Sequence, residues 1–386
     1  MRTASGIRVY KLNAYAKLNL YLDITGRRDD GYHLLETVMQ SISLADEVTV
    51  VVSAGNGITL SVSREDIPTD GRNTAFRAAE LFLEKAGASG SVCIDIEKRI
   101  PSGAGMGGGS ADAAAVLKAL NTAFGEPLSE SELLGIAAQV GADVPFCLIG
   151  GTKLCRGIGE QMSDIPVTEG VFLVVKPEFG CPTGEAYRKY DESPLEIHGG
   201  LERFTAGLPG NYAPEMYNVF QRLYSDKRIE DICARLTALG AKGAMLTGSG
   251  SAVFGVFDNE AKAKRASGEF PGCFTAVSGC VRDPRIIISV TFQQVDHAPD
   301  AKTGSEGNDE GLKYVYRAVE EIHILCAGIV SLWFLRWKPQ SRNELAAVCG
   351  CRFRLLLSNF RLGFPPTLRF ACICCTVGVL LYGMGV

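Results

Sequence analysis

The sequence lacks an excess of charge of either sign. It carries 39 Lys and Arg residues against 43 Asp and Glu residues, a formal net charge of −4, and its isoelectric point is about 5.8. Proteins that bind nucleic acid usually present a strongly basic surface. We therefore expect no nucleic-acid partner, and we expect phosphate binding to be confined to a local site for a nucleotide.

A secretory segment is also missing, because residues 1–11 are polar and mixed rather than apolar. We therefore expect a reducing, cytoplasmic location. The cysteines between Cys93 and Cys280 lack the spacing of metal ligands and are expected to be small apolar packing residues. Cys372 and Cys375 form a CxxC within an apolar run, without a second pair. We predict no metal site at these cysteines.

The common P-loop motif, G-x-x-x-x-G-K-[ST], is absent as well. A different glycine-rich stretch, residues 101–115 (PSGAGMGGGSADAAA), runs into an alanine-rich helix. Glycines allow consecutive backbone N–H groups to turn toward an anion, and a helix N-terminus adds unpaired donors. The stretch predicts a phosphate-binding loop with Ser110 as the N-cap of the helix. A flexible linker is the weaker alternative.

Within this stretch, Gly103, Gly105 and Gly108 also satisfy the dinucleotide-binding pattern G-x-G-x-x-G after a predicted strand. Such a unit needs a second strand after its helix. Residues 127–140 instead predict another capped helix. We therefore expect an anion site of a different type.

Two charged residues outside the loop are candidates for chemistry. Phosphoryl transfer needs a carboxylate that orients the attacking hydroxyl and a cation near the transferred group. Asp143 follows the second helix in the turn GADVP, where an N-cap role is the alternative. Lys17 lies on an apolar strand, where a strand-edge lysine in solvent is the alternative. If both side chains face the interior, each satisfies the charge of the other.

Two polar turns carry further candidates. Tyr32 and His33 form an aromatic pair suited to stacking on a base or hydrogen-bonding a sugar, with a plain surface turn as the alternative. Thr247 and Gly248 begin a second glycine-rich turn, which predicts either a close approach to phosphate or a tight hairpin.

The order of elements indicates an α+β chain. Strands are predicted at residues 9–24, 47–53, 57–62, 92–97 and 171–176, and helices at residues 73–85, 127–140, 214–225 and 228–238. Later in the chain, a polar segment at 297–313 precedes apolar runs at 324–335 and 370–386. The last run is at the short limit for a bilayer span. We favour a poorly ordered or spurious extension over contact with a membrane.

Taken together, these motifs resemble the GHMP kinase superfamily. The resemblance rests on residues 14–20 (AYAKLNL), 31–39 (GYHLLETVM), 101–115, 141–146 (GADVPF) and 247–251 (TGSGS). The combination of these motifs is specific to the family, and the resemblance covers residues 8–283. The resemblance implies a two-lobed α+β fold: a ribosomal-protein-S5-domain-2-like lobe at 1–165, a ferredoxin-like lobe at 166–283, and an atypical extension at 284–386.

The resemblance also implies ATP-dependent phosphorylation, with Mg²⁺, of the tertiary 2-hydroxyl of a cytidine-diphosphate-linked substrate in the non-mevalonate isoprenoid pathway. Lys17 and Asp143 match the catalytic pair, and Asn73 matches a position that approaches adenine. The residues that match the ATP phosphate loop are Pro101, Ser102, Gly103, Ala104, Gly105, Met106, Gly107, Gly108, Gly109, Ser110 and Ala111. Those that match substrate positions are Asn19, Tyr32, His33, Tyr187, Thr247 and Gly248.

One departure concerns Ala111, where many members carry a second serine. We expect Ser110 and backbone donors to bind phosphate without it. Two alternative functions stay open: another GHMP kinase acting on homoserine, a mevalonate derivative or a sugar, and a non-catalytic nucleotide-binding module. Residues 31–33 argue against the first, and the presence of Lys17 and Asp143 argues against the second.

Overall fold

The computed structural model describes residues 2–3, 6–282, 287–292 and 375–380. Residues 10–282 lie within one compact unit. The strands are β1 (Arg2–Thr3), β2 (Ile7–Arg27), β3 (His33–Ser53), β4 (Gly57–Val62), β5 (Ala88–Ser89), β6 (Ser91–Glu97), β7 (Thr152–Gly157), β8 (Gln161–Asp164), β9 (Val171–Lys176), β10 (Tyr217–Asn218), β11 (Gly243–Leu246), β12 (Val253–Phe257), β13 (Phe274–Gly279), β14 (Ile287–Phe292) and β15 (Cys375–Leu380). The helices are α1 (Thr74–Ala86), α2 (Gly108–Ala123), α3 (Glu130–Val140), α4 (Val144–Ile149), α5 (Thr183–Glu192), α6 (Leu201–Ala206), α7 (Val219–Tyr224), α8 (Lys227–Ala238) and α9 (Glu260–Ser267).

Two long strands, β2 and β3, form the centre of the larger sheet. Residues 35–40 of β3 pair antiparallel with β7, and residues 47–53 pair antiparallel with β6. β4 pairs in parallel with β6. The predicted strand at 9–24 is confirmed. The predicted strand at 47–53 is the second part of one longer strand, β3, which changes its partner midway without leaving the sheet.

Helices α1, α2 and α3 pack over one face of this sheet. Their apolar residues share one core with β3 and β6, in which Phe82, Leu120 and Ile136 are almost completely buried. The predicted helix at 73–85 is confirmed, and Asn73 caps it by accepting a hydrogen bond from the Ala75 N–H. A capping box between Ser129 and Glu132 caps the N-terminus of α3.

The prediction that Ser110 caps α2 is wrong. α2 begins at Gly108, and its N-cap is Gly107, in the left-handed conformation with φ +68°. Because a glycine adopts this conformation without a Cβ clash, the helix starts within the glycine run. No side chain occupies the cap, so the first N–H groups of α2 are left available to an anion.

The second sheet has the order β11-β12-β9-β13 and is antiparallel throughout. The predicted helix at 214–225 is only partly confirmed. A single 3-10 turn (Ala213–Glu215) and β10 precede α7, because Asn218 pairs with β2 and caps α7 with its side chain. The two sheets agree with the predicted two-lobed α+β fold, whereas the exact lobe boundaries at 165 and 283 stay predictions.

Most of the predicted extension lies outside the described residues, including the segment 297–313, the run 324–335 and Cys372. Six residues of the last apolar run form β15. Among the residues that the structure describes, no helix is long and apolar enough to cross a membrane.

Candidate active site

A cavity of about 580 Å³ lies in the compact unit beside the glycine loop, the name used here for residues 101–110. All ten loop residues line it, together with Lys17, Asn73 and Asp143. Ala111, the last residue of the predicted phosphate-loop set, is buried in the α2 core instead. The fold therefore places the loop and the two predicted catalytic residues around one cavity.

The backbone of the glycine loop is held in conformations that only glycine adopts easily. Gly103, Gly105 and Gly107 have φ values of +60°, +72° and +68°. A Cβ on Gly103 would meet no atom within 4 Å. The loop thus presents an uncovered backbone next to the open N-terminus of α2, which is the arrangement that binds phosphate.

The second glycine turn, residues 247–251, packs directly against this loop. A Cβ on Gly105 would lie 2.2 Å from the Thr247 carbonyl oxygen, and the Ser251 N–H donates to the Gly103 carbonyl at 3.3 Å. Gly248 and Ser249 line the cavity, whereas the Thr247 side chain is completely buried and accepts a hydrogen bond from the Asn19 N–H at 3.0 Å. The two predicted turns therefore form one structure, and substrate binding by Thr247 and Gly248 stays a prediction.

Lys17 lies inside the protein, so the alternative of a strand-edge lysine in solvent is wrong. Only 4% of the residue is exposed. Its backbone N–H donates to the Met106 carbonyl at 3.0 Å, which joins β2 to the glycine loop. Its ammonium donates to Asn19 Oδ1 at 2.6 Å and lies 3.4 Å from Asp143 Oδ2.

Asp143 occupies the N-cap position of α4, yet its side chain makes no capping hydrogen bond. The proline at N2 lacks an N–H, and the carboxylate faces Lys17 instead. The Asp143 side chain is 37% exposed, against 5% for Lys17. The carboxylate is therefore held by a buried cation and open to the cavity on its other side.

A chain of buried polar groups fixes Lys17. Asn19 Nδ2 donates to the Thr37 hydroxyl at 2.9 Å, and that hydroxyl donates to the Tyr21 carbonyl at 2.7 Å. Each of these side chains is therefore committed to one orientation. Sequence reasoning missed Thr37, and the signal that could have revealed it is a threonine at a position of β3 that faces the interior.

Two of the predicted aromatic residues, His33 and Tyr187, pack against each other. The ring of His33 stacks on Tyr187, with centroids 4.8 Å apart, and His33 Nε2 lies 2.7 Å from Asp191 Oδ1. Tyr187 lines the cavity. Burial raises the pKa of its hydroxyl and the Asp143 carboxylate raises it further, so this hydroxyl stays protonated. Tyr32 is 59% exposed. Asp191, which orients His33, was not found from the sequence.

Asn73 also lines the cavity, at the end where Ile67 and Pro68 lie. Its side chain already caps α1 and donates to the Pro68 carbonyl at 2.8 Å. The neighbouring Thr74 hydroxyl donates to the Gly109 carbonyl at 2.7 Å. Asn73 therefore shapes this end of the cavity through the backbone that it fixes.

The comparisons with known proteins agree with this site. The profile described as GHMP kinases N terminal domain matches residues 73–151, and GHMP kinases C terminal matches residues 198–274. A 4-diphosphocytidyl-2-C-methyl-D-erythritol kinase of Clostridium botulinum (strain Alaska E43 / Type E3) is 41% identical over 261 residues, which are 66% of this chain and 93% of that protein. One of Desulfitobacterium hafniense (strain Y51) is 46% identical over 65% of this chain and 88% of that protein.

Solved structures give the same result. A crystal structure of 4-(cytidine 5'-diphospho)-2C-methyl-D-erythritol kinase matches with a TM-score of 0.59 and 34% identity, covering 70% of this chain and 99% of that chain. Homoserine kinase from Cytophaga hutchinsonii matches with a TM-score of 0.57 but 18% identity, covering 72% of this chain and 95% of that chain, and this likeness concerns the fold alone. The chain therefore belongs to the GHMP kinases, within the family of 4-diphosphocytidyl-2-C-methyl-D-erythritol kinases.

Proposed function

We propose that the chain transfers the γ-phosphoryl group of ATP to the 2-hydroxyl of 4-diphosphocytidyl-2-C-methyl-D-erythritol, in the cytoplasmic non-mevalonate route to isoprenoid precursors. The observation that carries the proposal is the contact between Lys17 and Asp143, 3.4 Å apart. A Cβ on Gly107 would lie 3.1 Å from Lys17 Cγ and 3.6 Å from Asp143 Oδ2. A cation and a carboxylate thus lie directly against an anion-binding loop, as phosphoryl transfer to an alcohol requires.

The glycine loop binds the polyphosphate of ATP in this proposal. Its backbone N–H groups and those at the N-terminus of α2 supply donors, and Ser110 adds a hydroxyl that lines the cavity. The adenine lies toward Asn73, where Ile67 and Pro68 supply an apolar wall. ATP supplies the phosphoryl group when bound.

Mg²⁺ fits the residues beside the loop. This ion prefers hard oxygen ligands and usually binds through one or two carboxylates together with substrate phosphates. The Ser110 hydroxyl offers such an oxygen in the cavity, and the phosphates of bound ATP would supply others. A Cβ on Gly141 would lie 4.0 Å from Ser110 Oγ, so the GADVP turn lies close to that hydroxyl. Ser110 would hold the ion, which would neutralise phosphate charge, and Asp143 is left to act on the acceptor.

Asp143 acts on the acceptor alcohol. Its partly exposed carboxylate orients the 2-hydroxyl and accepts the hydroxyl proton as the hydroxyl oxygen forms its bond to phosphorus. Lys17 stabilises the negative charge of that carboxylate and is itself kept in place by Asn19. Burial of Lys17 strengthens this interaction, because a buried charge pair is screened less by water.

The cytidine part of the substrate binds in the part of the cavity that Tyr187 lines. His33 is held by Asp191 and stacked on Tyr187, and the exposed ring of Tyr32 is available to a base. Asn19 also lines the cavity. Stacking supplies affinity, and the oriented imidazole supplies a hydrogen bond that distinguishes one base from another.

Release of ADP by the full-length chain tests the proposal. The assay compares 4-diphosphocytidyl-2-C-methyl-D-erythritol with homoserine, mevalonate and galactose as acceptors. The expected result is turnover of the cytidine compound with a kcat/KM far above that of the others. Higher kcat/KM for another alcohol would replace the substrate assignment, and ATP binding without turnover of any alcohol would support a nucleotide-binding module.

A further inference from the structure

A buried group of three charged residues lies against the glycine loop, and two of them also line the cavity. The Asp46 cluster, as it is called here, consists of Asp46, Lys98 and Asp112, whose side chains are 0%, 5% and 6% exposed. Lys98 donates to Asp46, and to Asp112 at 2.6 Å. A Cβ on Gly108 would lie 3.3 Å from Lys98 Nζ. The cluster therefore touches the loop at Gly108.

Asp46 fixes the start of the glycine loop. β6 ends at Glu97, so the next residues have left the sheet and need other hydrogen-bond partners. Asp46 Oδ1 accepts from the Arg99 N–H at 2.6 Å and from the Ile100 N–H at 2.7 Å. Both donors directly precede Pro101, where the loop begins.

Lys98 connects this anchor to the other end of the loop. Asp112 lies in the second turn of α2 and receives the hydrogen bond from Lys98. Burial lowers the pKa of Lys98, but the charges of Asp112 and Asp46 outweigh this effect and raise that pKa above its ordinary value. The ammonium therefore stays charged and bridges β3 to α2.

Anchoring both ends of a glycine-rich loop reduces the conformational entropy that the loop would otherwise lose when it binds a ligand. Glycine loses more conformational freedom on ordering than any other residue, and five of the ten loop residues are glycines. If the loop is ordered before ATP arrives, that entropy is not lost on binding, and affinity rises. The ordering must come from residues that the nucleotide does not touch, and Asp46 is such a residue because it is completely buried.

We propose that Asp46 is a positioning residue that, through Lys98 and Asp112, orders the glycine loop before ATP binds. The inference rests on the proposed use of this loop for ATP. It assigns to Asp46 an effect on nucleotide affinity rather than on the chemical step.

The test uses Asp46→Asn in the full-length chain, since the amide keeps the shape and removes the charge. Three quantities are measured: hydrogen exchange of residues 101–110 without nucleotide, affinity for a non-hydrolysable ATP analogue by calorimetry, and steady-state kinetics. We expect faster exchange in the loop, a KM for ATP raised at least about tenfold, and a kcat within about threefold of the original protein. The KM for the alcohol stays unchanged.

Glu36→Gln is the matched control, because Glu36 lies on the same strand and pairs at the surface with Arg156 at 2.9 Å. It should change none of these quantities. A folded Asp46→Asn protein, judged by near-ultraviolet circular dichroism, with unchanged loop exchange and nucleotide affinity overturns the proposal, even if its Tm falls.

Lys98→Met is the second variant, which keeps the apolar stem and removes the bridge. If Asp46→Asn does not fold, unchanged loop exchange in Lys98→Met overturns the proposal, and faster exchange with weaker analogue binding supports it. Exchange and analogue binding need no alcohol substrate. Failure of the original protein to phosphorylate any alcohol therefore rejects the proposed function, whereas normal turnover with unchanged loop exchange rejects only the role of Asp46.

Discussion

Replacing Gly107 with alanine probes the contact between the glycine loop and the catalytic pair. Gly107 has φ +68°, and an added Cβ would lie 3.1 Å from Lys17 Cγ and 3.4 Å from Lys17 Cε. The left-handed conformation costs an L-residue about 1–2 kcal/mol. The lysine stem must also move by a few tenths of an ångström, which displaces its ammonium from Asn19 and Asp143.

The two costs have different readouts. The backbone cost lowers the free energy of unfolding by about 1–2 kcal/mol. The displacement of Lys17 lowers kcat/KM by about tenfold, because a shift of about 1 Å in a catalytic group costs on the order of a hundredfold. Urea unfolding measures the first quantity, and steady-state ADP release measures the second.

Gly125→Ala separates these effects. Gly125 has φ +77°, but a Cβ there would meet no atom within 4 Å, and the residue lies between α2 and α3. It should show the same loss of stability with unchanged kinetics. Equal kinetics in Gly107→Ala and Gly125→Ala would refute the argument that Gly107 is required by its contact with Lys17.

Three other substitutions test separate parts of the structure. Asp143→Ala should lower kcat by about three or more powers of ten with nearly unchanged ATP affinity, because the carboxylate meets the acceptor rather than the nucleotide; equal loss of ATP affinity, measured by calorimetry, would contradict this. Thr37→Val leaves the Asn19 amide without its acceptor and should lower the free energy of unfolding by about 1–3 kcal/mol and kcat several-fold, and a variant with unchanged stability and kcat would show that this hydroxyl is dispensable. Lys242 and Lys262 lower the pKa of Asp258 to about 2, so its ion pairs stabilise the protein above the unfolded pKa near 3.8 and are lost as the pH falls through 2. The stability difference between the original protein and Asp258→Asn in urea should therefore shrink from pH 5 toward pH 2, and a constant difference would contradict the ion-pair interpretation.

Local signals predicted the elements that position the site. The alternation of residues 9–24 predicts β2, and the Asn73 cap predicts the start of α1, because both depend on neighbours in sequence. The start of α2 was misplaced at Ser110, since a serine is normally the better cap. The glycine run instead allows a left-handed residue at Gly107, which requires no side-chain cap.

Contacts between segments that are distant in sequence were harder to predict from the sequence alone. The sequence indicates that Lys17 and Asp143 satisfy each other if both face inward, but only the packing of β2 against the loop establishes that Lys17 is buried. The close approach of Gly105 to Thr247 joins residues more than a hundred positions apart. Thr37 and Asp46 act through buried hydrogen bonds to other segments, and neither residue has a local motif that marks this role.

The position of the new phosphate in the product tests the central claim most directly. Proton-coupled phosphorus NMR of the full-length chain's product from ATP and 4-diphosphocytidyl-2-C-methyl-D-erythritol distinguishes the hydroxyls, because a tertiary alcohol carries no hydrogen on its carbinol carbon. We predict a new phosphomonoester resonance without splitting by a carbinol proton, present with the original protein and absent with Asp143→Ala. A resonance split by carbinol protons, or one of equal intensity with Asp143→Ala, would contradict transfer to the 2-hydroxyl directed by Asp143.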